Sequence, residues 1–228
     1  MINSLSLIIP VYNEELNIRN NLEKYLKHLN KSKIDFEIII VESNSSDNSY
    51  NEIENFRNFK SVKIIYENQK KGYGSAVKLG LEKSTKDFFT IFPIDNQYSI
   101  EELIKLCLEN DGNLITFRKI NSTSKFKKLR SLIFKNLTNL IFNFNYKDIN
   151  SLKIISRKFV THNKKFNLLS NSWIIDLEFL ILISRSNQKV KQIGIEMKDR
   201  KYGYSKVTVY DNLLIILELV VIRLKFFF

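Results

Sequence analysis

The stretch DFFTIFPIDNQYS, Asp87 to Ser99, is an apolar run that breaks at Pro93 and then presents Asp95, Asn96 and Gln97. Oxygen-bearing side chains at the end of a buried strand can hold a ligand or a metal. Only one carboxylate stands here, so on residue types alone a turn is an equally good account. GYGSAVKLG places Gly72 and Gly74 before a helical pattern. The first N–H groups of a helix lack internal partners and attract phosphate, although a connecting turn has the same composition. A dinucleotide fingerprint fails because its third glycine would fall on Val77, and no G-K-[ST] completes a P-loop.

These residues need elements to position them. LSLIIPV (Leu5–Val11), FEIIIV (Phe36–Val41), VKIIY (Val62–Tyr66), FFTIF (Phe88–Phe92) and NLITF (Asn113–Phe117) are short apolar runs without helical period. They predict buried parallel strands. Between them, Ile18, Leu22, Tyr25, Leu26 and Leu29 mark one helical face, and Ser99 with Glu102 has capping-box spacing. SNSSDNS reads as turn material. Further on come a helix through Leu129–Leu140, a strand near LKII, a helix across WIIDLEFLILISR and a strand near VKQIGIEM.

Strands alternating with helices imply a doubly wound α/β domain, with ligands gathered at the carboxyl ends of the strands. The candidates are therefore Tyr12, Asn13 and Glu14; Glu42 to Asp47; Asn68 to Gly74; Asp95 to Gln97; and Arg118.

The 228 residues suit one domain, and 44% hydrophobic content with six glycines and two prolines excludes a disordered or collagen-like chain. A net charge of +12 favours anionic partners. Part of it is local, because no Asp or Glu occurs from Gly112 to Lys147. No zinc-finger or basic-zipper spacing points to nucleic acid. Cys107 is alone, which predicts a reducing cytoplasmic setting, and His28 and His162 lie too far apart in sequence to build a Cys/His metal site. The N-terminal run is too short and lacks the basic flank of a signal peptide. Leu213–Phe228 is apolar but carries Glu218, Arg223 and Lys225, short of the roughly 20 apolar residues of a spanning helix. It predicts an interfacial or core-packing helix.

Taken in order, SLIIPVYNEELNI, EIIIVESNSSDNS, GYGSAVKLG, PIDNQYSIEEL, the helix around Lys128–Asn136, DINSLKIISRK, WIIDLEF and RKYGYSK cover nearly the whole chain. Their order and spacing resemble family 2 glycosyltransferases of the GT-A fold, within the dolichol-phosphate mannose synthase and polyprenyl-phosphate glycosyltransferase group. The resemblance implies a single GT-A domain over 1–210, mainly parallel in its sheet, followed by an interfacial helix over 211–228.

It also implies roles. Pro10, Tyr12, Asn13 and Glu14 border the nucleotide, with Gly72 and Gly74 also on the donor side. Glu42 and Ser43 stand where the family has two aspartates that help hold the base; Ser45 and Asp47 are read as turn or cap residues. Asp95 and Gln97 match the end of D-x-D-x-Q, a hard-cation site for Mg²⁺ or Mn²⁺, and Pro93 replaces its first aspartate. Arg200, Ser205 and Lys206, beside Gly203, match R-x-x-G-x-S-K, which clamps the leaving diphosphate. Arg118 and Arg130 (or Lys128) match acceptor-phosphate groups. Asp148 and Arg157 are read as structural anchors.

The implied reaction is inverting transfer from a UDP- or GDP-sugar to a polyprenyl phosphate or related lipid-linked acceptor. A phosphate monoester, with a second pKa of about 6, needs positioning rather than a base. A glycan hydroxyl would need one, and Asp176 or Glu178 would supply it. A non-catalytic nucleotide-sugar-binding module is a further reading, resting on Pro93 and Ser43. The expected location is the cytoplasmic inner face of the membrane. There the basic 118–135 stretch would face anionic headgroups. The oligomeric state is not legible.

Overall fold

The computed structural model describes residues 1–119, 125–161, 168–185, 190–198 and 218–225, with backbone alone for 125–131 and 161. The strands are β1 (Ser4–Val11), β2 (Asp35–Glu42), β3 (Val62–Tyr66), β4 (Phe88–Ile91), β5 (Leu114–Lys119), β6 (Lys153–Ser156) and β7 (Lys191–Glu196). The helices are α1 (Glu15–Lys31), α2 (Ser49–Glu54), α3 (Tyr73–Lys83), α4 (Ile100–Glu109), α5 (Lys125–Phe142), α6 (Arg157–Thr161) and α7 (Ile175–Arg185). Residues 218–225 form a last helix, α8.

The strands make one seven-stranded sheet in the order β3-β2-β1-β4-β6-β5-β7. Pairings β1–β2, β1–β4, β2–β3 and β5–β7 are parallel, whereas β6 runs antiparallel to both β4 and β5. The order reverses at β1, the position where open α/β sheets hold ligands. Register shows why a crevice opens there. β1 stays paired with β2 out to Val11 and Glu42, but its pairing with β4 ends at Ile8 and Ile91.

Strand alternation divides the core. Leu5, Leu7, Ile9 and Val11 pack with Ile18, Leu22, Leu29 and Leu103 on the α1/α4 face. Ile8 points the other way, into a cluster with Val77 from α3 and Leu177 to Ile183 from α7. Ser99 caps α4 as its spacing predicts, accepting a hydrogen bond from the Glu102 N–H at 3.3 Å. Of the expected 211–228 helix, only residues 218–225 are described; in α8 Leu219 and Ile222 join the α7 cluster, and Val220, Val221 and Leu224 are exposed. No helix among the described residues is long and apolar enough to cross a membrane.

Candidate active site

Pro93 terminates β4, since it has no N–H to extend the ladder. The turn after it is tied by three bonds, two from α1 and one from the segment past β7. Tyr25 of α1 packs edge-on against Phe92 and donates its hydroxyl to the Pro93 carbonyl at 3.0 Å. Asn21 Nδ2 donates to the Ile94 carbonyl at 2.7 Å. Lys198 N, just past β7, donates to the Gln97 carbonyl at 2.8 Å. Within the turn, Asp95 Oδ1 accepts from Gln97 N at 3.2 Å, and Asn96 adopts a left-handed φ of 56°. Asp95 is only 4% exposed. Burial, then the Asp95 charge, raises the Tyr25 hydroxyl above its ordinary range and keeps it a donor.

The ends of β1 and β2 are laced together by hydroxyls and amides. Asn13, at φ 53°, donates its N–H to Ser45 Oγ (2.9 Å), and its Oδ1 accepts from Ser46 N (2.8 Å). Glu14 N donates to Ser49 Oγ at 2.8 Å, and Glu15 N to Asp47 Oδ2 at 3.1 Å. Glu42, 3% exposed, accepts from Asn44 N (3.1 Å) and Ser45 N (2.6 Å) of its own turn. Ser43 Oγ donates to Glu67 at 2.7 Å. Lys70 Nζ sits 3.9 Å from the centre of the Tyr12 ring.

Two ion pairs, one part-buried and one built on a buried lysine, dominate the other side of β4. Arg118 forks onto Asp148 through Nε (2.6 Å) and Nη2 (2.9 Å). Burial works against the guanidinium charge, but the Asp148 bonds outweigh it and leave Arg118 more firmly charged than usual. The fork uses one N–H at Nε and one at Nη2, so the remaining donors of the guanidinium are not engaged by Asp148. Tyr98, beside this pair and bonded to Ser151, is pushed up to about 12, chiefly by burial. Lys153, 4% exposed, bridges Asp176 Oδ1 at 2.7 Å and the Ser151 carbonyl at 2.9 Å.

Gly72 and Gly74 have a structural role. The backbone of 170–172 lies on them so closely that a Cβ on Gly74 would meet the Ser170 carbonyl at 2.4 Å. One on Gly72 would meet the Asn171 carbonyl at 2.3 Å, and Gly72 holds φ 105°. The Gly74 N–H already donates to the Asn171 carbonyl at 2.8 Å. Glu178 is fully buried and accepts from Leu169 N and Ser170 N, both at 2.8 Å, so it pins this segment. Glu218 of α8 accepts from Ser172 Oγ at 2.6 Å on the same segment.

The carboxyl edge of the sheet thus gathers Pro10, Tyr12, Asn13, Glu14, Glu42, Asp95 and Gln97, with Arg118 two strands beyond β4. Arg200, Ser205 and Lys206 lie outside the described residues, as do the side chains of Lys128 and Arg130. The sequence reading missed Glu67, Tyr98 and Lys153. Glu67 and Tyr98 each fall one residue outside the strand-end windows nominated from sequence. Lys153 belongs to DINSLK, where only Asp148 had been singled out.

Comparison with known proteins places this geometry in context. Residues 6–168 match the model of glycosyl transferase family 2. The undecaprenyl-phosphate 4-deoxy-4-formamido-L-arabinose transferase of Proteus mirabilis is 31% identical over 135 residues, 57% of this chain and 41% of that protein. The dolichol-phosphate mannosyltransferase of Pyrococcus furiosus is 31% identical over 104 residues, 45% of this chain and 28% of its own length. The chain thus spans less than half of either relative. Glucosyl-3-phosphoglycerate synthase from Mycobacterium tuberculosis, solved with Mn²⁺, UDP and phosphoglyceric acid, superposes with a TM-score of 0.71 at 14% identity. That alignment covers 97% of this chain and 78% of that one.

Proposed function

The chain belongs to glycosyl transferase family 2, and from that premise we propose that it transfers a sugar from a UDP- or GDP-linked donor to a polyprenyl phosphate or related lipid-linked acceptor, with inversion. The observation that carries the reading is the division of one sheet edge. Carboxylates and hydroxyls cluster around the β1, β2 and β4 ends, and an arginine held in register by Asp148 stands beyond β6. The first set suits a nucleotide-sugar and the second an anionic acceptor.

An acceptor phosphate oxygen attacks the anomeric carbon from the face opposite the donor diphosphate. A carbon–oxygen bond forms to the acceptor as the bond to the diphosphate breaks, and the diphosphate departs with the electron pair. Arg118 orients the incoming phosphate, and Arg130 assists from α5. Arg200, Ser205 and Lys206 hold the leaving group. Such an acceptor arrives ionised and needs no base. That agrees with the surroundings of Asp176, whose Oδ1 is already engaged by the buried Lys153 ammonium.

Asp95 and Gln97 supply one carboxylate and one amide oxygen, a donor set suited to Mg²⁺ or Mn²⁺ once a diphosphate adds oxygens of its own. Among the described residues no three acidic, histidine or cysteine side chains converge. The ion therefore fits as a partner of the bound donor rather than as a free-standing centre. When bound it neutralises charge on the diphosphate.

The exposed Leu132, Ile133, Leu137 and Leu140 of α5, with Val220, Val221 and Leu224 of α8, support peripheral binding at a cytoplasmic membrane face. UDP- and GDP-sugars offered with a short polyprenyl phosphate, with Mn²⁺ and with chelator, test the reading. The expected result is a metal-dependent glycosyl-phospholipid product that Arg118→Ala abolishes and Asp176→Asn retains. The reverse dependence would establish a hydroxyl acceptor. Metal-independent binding of the nucleotide-sugar without turnover would establish a binding module.

A further inference from the structure

The end of β3 holds a feature that the mechanism above does not use. A cleft of about 360 Å³ opens there, lined by Tyr66, Glu67, Asn68, Gln69, Lys71, Ser75 and Leu79. Glu67 is 8% exposed, and its two oxygens are fixed from different elements. Oε2 accepts from Ser43 Oγ at 2.7 Å, and Oε1 accepts from Ser75 Oγ at 2.8 Å. The Glu67 N–H is tied to the Glu42 carbonyl at 2.8 Å. No ammonium or guanidinium lies within ion-pair distance of this carboxylate among the described residues, in a chain of net charge +12.

A buried carboxylate normally has a cationic partner or several donors, because its desolvation is otherwise uncompensated. Two serine hydroxyls orient this one and leave a further lone pair on each oxygen. Such a group is prepared to accept an N–H from whatever enters the cleft. Asn68 and Gln69 on the same lining carry amide donors that match carbonyl oxygens flanking that N–H. A planar ring edge with an N–H beside a carbonyl fits this pattern: the N3–H edge of uracil or the N1–H edge of guanine. Cytosine N3 and adenine N1 present a lone pair at the same place, which the carboxylate repels.

We propose that Glu67, held by Ser43 and Ser75 against this cleft, is a specificity-determining residue that reads the ring N–H of the donor nucleobase and so selects uracil or guanine against cytosine and adenine. The proposal rests on the nucleotide-sugar reading given above. It also accounts for Ser43, because the acid that the family resemblance places at 43 is supplied here from the end of β3, with the Ser43 hydroxyl orienting it.

Titration calorimetry of the whole chain with UDP, GDP, CDP and ADP in the presence of Mg²⁺ tests it. The tighter of UDP and GDP is expected to bind at least about tenfold more strongly than either CDP or ADP, and comparing the two identifies the base. Glu67→Gln is expected to narrow the gap to about threefold or less, with a thermal melt confirming that the variant is folded. Should it not fold, Ser75→Ala, which removes one orienting hydroxyl, is expected to narrow the gap in the same direction. CDP or ADP binding as tightly as UDP and GDP would overturn this proposal alone, as would an unchanged gap in a folded variant. Binding by none of the four would overturn the nucleotide-sugar reading with it.

Discussion

The two halves of the site edge are built by opposite means. Around the β1, β2 and β3 ends, turns are fastened by neutral donors to oxygen: Asn13 to Ser45, Ser46 to Asn13, Ser43 and Ser75 to Glu67. Beyond β4 the fastening is by charge pairs, the part-buried Arg118 with Asp148 and the deeper Lys153 with Asp176. Removing one such bond loses about 0.5–1.5 kcal/mol, or up to about 3 where the acceptor is a carboxylate, whereas orphaning one member of a buried ion pair costs about 3–5. The β1–β3 side should therefore tolerate substitution, while the side beyond β4 should resist it.

The sharpest break in that contrast comes from Lys153→Met. It leaves Asp176 without its ammonium, and a loss of about 3–5 kcal/mol in urea unfolding is expected. The double variant Lys153→Met with Asp176→Leu should recover most of that loss, since removing both charges leaves neither unpaired. A single variant within about 1 kcal/mol of wild type, on the order of an exposed pair, would erase the distinction between the halves.

The opposite, N-terminal edge of the sheet shows what a charge pair does with solvent access on one side. Burial alone would raise the Glu37 carboxyl, but bonds from Lys63, Ser6 and Thr85 outweigh it and hold it at about 2. A carboxyl lowered on folding stabilises the native state above its unfolded value, and that stability is lost as pH falls through the folded value. The loss should run from about pH 4.5 to about pH 2 and amount to about 2–3 kcal/mol, discounted because Lys63 is half-exposed. Glu37→Gln should flatten this acid limb in pH-dependent unfolding. An unchanged limb would assign it to other carboxylates.

Gly74→Ala probes the seam between α3 and the 170–172 segment. The new methyl would meet backbone rather than a flexible side-chain end, so about 1–3 kcal/mol of destabilisation is expected in thermal or urea unfolding. The sequence offers Gly72 and Gly74 as a phosphate seat or a connecting turn; the structure adds that their missing Cβ atoms admit a segment nearly a hundred residues away. Long-range packing of this kind leaves no local pattern.

The same limit marks what else was legible. The apolar runs of β1 to β5, the face of α1 and the cap of α4 were readable because each is a local pattern. The reversed direction of β6 was not, since a strand's side-chain pattern is the same either way along the sheet. Helix α2 escaped notice inside SNSSDNSYNEIE because it is short, and only Ser49 and Ile53 face inward. The carboxyl-end rule nominated Asp95, Glu42 and Arg118, which the fold does put at strand ends. It could not find that Asp148 holds Arg118, or that Glu67 turns toward Ser43, because those partners come from other segments.

Ser43→Ala gives the smallest effect and bears most directly on the comparison between the halves. The hydroxyl donates a single bond, and Glu67 retains the one from Ser75. About 1.5 kcal/mol of stability is expected to be lost, the low end for a bond to a carboxylate and half or less of that at Lys153. Its effect on ligand binding should outrun its effect on the fold, because the hydroxyl orients a carboxylate that lines a cleft. Urea unfolding beside calorimetry with UDP and GDP separates the two. A stability loss matching that of Lys153→Met would mean that the neutral bonds are as cooperative as the buried charges, and the contrast would then lie in chemistry alone and not in tolerance.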